Sequence, residues 1–188
     1  MKNITNYKPS ITQQIQIDLL LSSLSKCAAL GIKVWVVGGY GLDALYNKLT
    51  RDHGDFDLYL SKNSIDRFIK TIKSFGFYPT SEKVGTVQKA VYKHKSLPSN
   101  FKLEFTSIEQ AQEKLKEFNI KQFTSHKPLG MFMGYPIWTA TLDEFIKIIE
   151  INDKLAIEHK WKKYPHRKWQ KEILTALRIR YNEKFNKL

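Results

Sequence analysis

Cysteine is almost absent from this chain. Among 188 residues there is one, Cys27, which excludes an internal disulfide framework and fits a reducing, cytoplasmic setting. No apolar run approaches the ~18–20 residues that span a bilayer, so no membrane association is expected. The N-terminus, Met1-Lys2-Asn3-Ile4, lacks the apolar segment of a secretory leader. Internal repeats and low-complexity tracts are missing. Acidic residues are scarce as well: 18 Asp and Glu stand against 31 Lys and Arg, for a net charge of +13. Such an excess suits an anionic partner, either nucleotide phosphates or nucleic acid, and works against a cationic small molecule. The basic residues concentrate near the end. From His159 to Arg180 lie Lys160, Lys162, Lys163, His166, Arg167, Lys168, Lys171, Arg178 and Arg180, with Glu172 as the lone acid.

Helical and strand periodicities alternate along the rest of the chain. Ile11–Leu30 carries apolar residues at helical spacing and ends at Gly31. Lys33–Val37 is a short β-branched strand, Gly38-Gly39 a turn, Tyr40–Leu49 a helix, and Asp55–Leu60 a second strand. A helix over Ser61–Phe75 stops at Gly76. Strand-like stretches follow at Phe77–Pro79, Val84–His94 and Phe101–Ser107, then a solvated helix over Ile108–Phe118 and a hairpin over Gly130–Trp138. Thr141-Leu142-Asp143-Glu144 is a capping box that opens a helix running to about Lys160. Pro165 begins a last helix reaching about Tyr181. The expected fold class is α+β: a mixed β-sheet flanked by helices over residues 1–140, with a C-terminal helical segment, 141–188, packed on it or merged with it.

The chemistry concentrates in residues 34–60. Asp55 and Asp57 sit two apart on a strand, so both carboxylates point to one face, roughly 6–7 Å apart at the backbone. Such a pair suits an oxygen-ligated divalent cation, here Mg²⁺. The turn at Gly38 and Gly39 can bring backbone N–H groups close to phosphate. Arg51 can pair with a phosphate or brace its loop. Asp43 and His53 read as supports, and Lys147 and Lys154 as candidate partners for triphosphate charge. Phe101, Leu103 and Phe105 share one face of their strand, leaving Glu104 on the other. Trp161 and Trp169, within the basic stretch, either pack in the core or stack on a base or acceptor. A phosphate grip beside metal-holding carboxylates is what nucleotidyl transfer requires.

The pattern Gly38-Gly39-x-Gly41-x-Asp43-Ala44, then Arg51-x-His53-x-Asp55-x-Asp57, resembles the small antibiotic nucleotidyltransferases. These are the aminoglycoside 2''- and lincosamide-modifying enzymes of the DNA-polymerase-beta-like superfamily. The resemblance implies a minimal nucleotidyltransferase core. It implies catalytic and metal-binding roles for Asp55, Asp57 and Glu104, the last as ligand or base where relatives more often have aspartate. It implies transfer of an NMP, expected to be AMP from ATP, to a hydroxyl of a small molecule such as an aminoglycoside or lincosamide. Two alternatives stay open: nucleotidylation of RNA such as a tRNA end, which the basic C-terminus favours, and an inactive member that only binds nucleotide or nucleic acid.

Overall fold

The computed structural model describes residues 7–84, 89–116, 129–158 and 167–185. Ser10 caps the first helix, α1 (Ile11–Ala29), by accepting from the Gln13 N–H at 3.1 Å. The chain then forms β1 (Val34–Val37), α2 (Gly38–Tyr46), β2 (Asp55–Leu60), a 3-10 turn (Lys62–Ser64) and α3 (Ile65–Ser74). Three strands follow, β3 (Phe77–Val84), β4 (Lys89–His94) and β5 (Lys102–Ser107), and then α4 (Ile108–Lys116). A small hairpin, β6 (Gly130–Phe132) and β7 (Tyr135–Ile137), precedes α5 (Leu142–Glu158) and α6 (Arg167–Phe185).

Five strands make one mixed sheet in the order β1-β2-β5-β4-β3. The β2–β5 pair is parallel and the other neighbours run antiparallel. Alternation along β2 separates two environments. Phe56, Leu58 and Leu60 face a core built with Ile17, Leu20 and Leu24 of α1 and Phe68 and Ile72 of α3. Asp55, Asp57 and Tyr59 face the other way. A second apolar cluster joins Val37, Leu42 and Leu45 to Ala140, Phe145 and Ile149 and to Ile173, Leu174 and Leu177 of α6. The C-terminal helices therefore share a core with the first βα unit. Among the described residues no helix is long and apolar enough to cross a membrane.

Most expected elements form, and the differences have local causes. The second helix starts at Gly38 itself, because Val37 is extended and Gly38, at φ +61°, turns the chain directly into the helix. It ends at Tyr46, where Asn47 adopts a left-handed conformation. The Ser61–Phe75 stretch divides into the 3-10 turn and α3. β3 extends to Val84, well past Pro79. It is an edge strand, where a residue without an N–H is tolerated, and its pairing shifts between Pro79 and Lys83. The capping box forms as read: the Thr141 N–H donates to Glu144 Oε2 at 2.5 Å, and the Glu144 N–H to Thr141 Oγ1 at 3.2 Å. Pro165 and Trp161 lie outside the described residues, and α6 is described from Arg167. Cys27 is buried in α1, where burial pushes its thiol up to about 11 and leaves it unreactive at neutral pH.

Phe56 is fully buried, with its ring 4.7 Å from Phe101 and 5.1 Å from Tyr40. Phe56→Ala should therefore cost roughly 3–5 kcal/mol in urea unfolding.

Candidate active site

Sheet register assembles the acidic cluster. Asp57 pairs with Glu104 across the parallel β2–β5 ladder, and Glu104 pairs with Val91 across β5–β4. Directly paired residues share a face, and so do residues two apart on one strand. Asp55, Asp57, Glu104 and Lys89 thus all project from the same side. Glu104 is 5% exposed, so it is no solvated strand glutamate. Lys89 was not evident in the sequence. Its Nζ lies 2.5 Å from Asp57 Oδ1 and 3.2 Å from Glu104 Oε2.

The glycine turn closes over this cluster. A Cβ on Gly38 would collide with the Asp57 carboxylate, and one on Gly39 would run into the His53 ring and come within 3.1 Å of Arg51 Nη2. Gly41 is as tightly held: its Cβ would lie 2.7 Å from the Val36 carbonyl oxygen and 2.8 Å from Phe145 Cζ. Gly38 thus lets the start of α2 lie against β2, Gly39 lets it meet the loop before that strand, and Gly41 lets it pack against β1 and Phe145 of α5. That helix has no side-chain cap, which leaves its first N–H groups facing the cluster end of the sheet.

Asp43 and His53 hold the loop between α2 and β2 in place. Asp43 is fully buried and accepts from Thr50 Oγ1 at 2.6 Å, from the Thr50 N–H at 3.1 Å and from His53 Nε2 at 2.7 Å. A carboxylate only accepts, so the imidazole carries its proton on Nε2. Burial, only partly offset by Asp43, lowers the His53 pKa and keeps the ring neutral. The His53 N–H donates to Gln13 Oε1 at 2.7 Å, tying the loop to α1. Trp169 of α6 donates its indole N–H to Thr50 Oγ1 at 2.8 Å, and the Arg51 guanidinium stacks 4.3 Å from the Trp169 ring. Trp169 is thus committed to this loop. Arg51 also donates to the Asp52 carbonyl at 2.7 Å, while its buried Nε has no partner. Lys147 and Lys154 stand exposed on α5. The basic stretch from residue 159 to 166 lies outside the described residues.

Electrostatically the cluster carries uncompensated negative charge. Burial, with Asp57 and Glu104 nearby, pushes the Asp55 carboxyl up to about 7. Burial works against the Lys89 ammonium, but Asp57 and Glu104 outweigh it and raise its pKa. Paired hard oxygen donors with surplus negative charge fit a divalent cation, and Asp55 and Asp57 supply them. Among the described residues no three side chains of the His, Cys, Asp or Glu kind converge on one point as a ligand cage. Lys89 faces both Asp57 and Glu104.

Two outcomes follow. Gly38→Ala adds a clash with Asp57 and strain at positive φ; it should lose at least 1 kcal/mol in urea unfolding, together with any triphosphate binding seen by calorimetry. In metal-free buffer the raised Asp55 pKa makes the folded chain hold its proton longer than the unfolded one. Asp55 therefore stabilises fully below pH 3.8, and that contribution is lost as pH rises through about 7. Asp55→Asn should match wild type near pH 4 and exceed it above pH 7, by on the order of 2 kcal/mol in denaturant titrations.

A family model described as aminoglycoside-2''-adenylyltransferase matches residues 19–127, more than half of the chain and all of this cluster. No curated protein sequence matches. Among solved structures, the fold is similar to the solution structure of the antibiotic-resistance factor ANT(2'')-Ia, with TM-score 0.62 and 13% identity over 93% of this chain and 95% of that one. A crystal structure of ANT(2'')-Ia in complex with adenylyl-2''-tobramycin gives 0.60 and 16%, over 89% and 99%. The lincomycin-bound lincosamide adenylyltransferase LnuA gives 0.54 and 16%, over 85% and 96%. The glycine turn, the paired aspartates and the family match across them agree: this chain belongs to the aminoglycoside-2''-adenylyltransferase family and is a nucleotidyltransferase.

Proposed function

We propose that the chain transfers AMP from ATP to a hydroxyl group of a small antibiotic, an aminoglycoside or lincosamide, with Mg²⁺ bound by Asp55 and Asp57. The observation that carries this is the alignment of Asp55, Asp57 and Glu104 on one sheet face beneath the uncapped start of α2. In this reading the first N–H groups of α2 and the Arg51 guanidinium beside Gly39 hold the triphosphate. The Arg51 Nε, buried without a partner, is a donor in reserve for an oxygen of that chain. When bound, Mg²⁺ supplies Lewis-acid polarisation of the phosphates. The acceptor oxygen forms a bond to the α-phosphorus as the bond to the β-phosphate oxygen breaks, and pyrophosphate leaves. The acceptor's proton passes to Glu104, the carboxylate next to Asp57 in the ladder.

The sign of the charge at the site also bears on the acceptor. The whole chain is strongly basic, which disfavours a cationic aminoglycoside at long range. The surface around Asp55 and Asp57 is locally acidic, and at contact distance such charge favours ammonium groups.

Incubation with each α-labelled NTP and Mg²⁺, against a panel of aminoglycosides, lincosamides and tRNAs, tests the reading. Label should pass from ATP to an antibiotic, and Asp55→Asn/Asp57→Asn should lower the rate by about 10³-fold or more. Label arriving on tRNA, with binding that weakens steeply as salt rises, would replace the antibiotic acceptor with RNA.

A further inference from the structure

We propose that Lys89 is the built-in cation of this active site, its ammonium standing in for a second divalent ion at Asp57 and Glu104, so that the site takes up a single divalent ion. The proposal rests on the nucleotidyl-transfer reading above and deepens it. The first support is position. β4 is locked to β5 by the Ala90–Phe105, Val91–Glu104 and Tyr92–Leu103 pairs, and Lys89 lies two residues before Val91. Its side chain is thereby delivered onto the carboxylate face by the sheet itself, and not by a wandering loop.

The second support is contact. The ammonium reaches both Asp57 Oδ1, at 2.5 Å, and Glu104 Oε2, at 3.2 Å. All three side chains are largely shielded: Lys89 is 22% exposed, Asp57 18% and Glu104 7%. A cation held by two shielded carboxylates is difficult to expel, because each partner would lose its counter-charge in a poorly solvated place. Asp55, by contrast, accepts no hydrogen bond among the described residues and faces no lysine at ion-pair distance. The carboxylate left over for a metal is therefore Asp55, with the second oxygen of Asp57.

The third support is charge. Once a bound ion has displaced the Asp55 proton, Asp55, Asp57 and Glu104 bring three negative charges and Lys89 one positive. The surplus is two, which one divalent ion cancels. The absence of a three-ligand cage among the described residues agrees with this, since the group that would draw Asp57 and Glu104 together is already an amine. Lys89 acts on the reaction as a positioning residue. It fixes Glu104 relative to Asp57 without occupying the metal's own place.

The test counts Mn²⁺ bound to the full chain by electron paramagnetic resonance, with thermal unfolding in parallel. Wild type and Lys89→Arg, which keeps the cation, should each bind one Mn²⁺. Lys89→Met, which keeps the stem and removes the charge, should bind a second ion and hold the first at least tenfold more tightly. It should also show a larger rise in Tm on adding Mn²⁺ than wild type does. If Lys89→Met folds only when Mn²⁺ is added, the ion has replaced the amine and the proposal stands. Two ions on wild type, or one ion of unchanged affinity on Lys89→Met, overturns the role of Lys89 while leaving nucleotidyl transfer intact. No Mn²⁺ on any of the three proteins, with no label transfer by wild type, overturns the metal-dependent reading and this proposal with it.

Discussion

Carboxylates crowded onto one poorly solvated face resist being there. That repulsion is the constraint around which the rest of the molecule is arranged. Asp55, Asp57 and Glu104 are placed together by strand pairing that the core on the opposite face enforces. The apolar residues of β2 and β5 have to be buried, and the period of two then gives their neighbours no alternative direction. Burial of Phe56, Leu58, Leu103 and Phe105 thereby supplies the free energy that holds like charges side by side. What remains of the repulsion shows in the raised Asp55 pKa and in the recruitment of Lys89. A site with stored, unsatisfied charge is poised to bind cations.

The glycine turn solves a steric problem for the same cluster. The start of a helix has to come within reach of Asp57, and only a residue without a Cβ, at positive φ, permits that approach. Once there, the helix offers uncapped N–H groups to an anion while the strand offers oxygens to a cation. In the proposed reading these are the complementary groups for the two halves of a metal-bound polyphosphate, within one strand–helix–strand unit. The buried Asp43–His53–Thr50 network keeps the return loop from relaxing away from that geometry.

Much of this was legible in the sequence, for identifiable reasons. Asp55 and Asp57 could be paired because strand geometry fixes i and i+2 on one face. The alternation of Phe101, Leu103 and Phe105 set the face of Glu104, while its place beside the aspartates came from the family resemblance, and the capping box at Thr141 is a local code that tertiary context left intact. Lys89 was hidden, since its significance depends on which strand neighbours β5, a long-range fact that no local pattern reports. The extension of β3 past Pro79 was hidden because Thr80, Ser81, Glu82 and Lys83 carry no apolar alternation. Trp169 could be read as a core residue or a stacking platform, and its choice of Thr50 and Arg51 depends on how α6 returns across the first βα unit.

That return has a consequence for how such a protein can change. The indole of Trp169 grips the segment that carries Arg51 and precedes the two aspartates, so the final helix is wired into the loop beside the acidic cluster. A lineage that alters its final helix also disturbs the posture of Arg51, and drift in one is answered by compensation in the other.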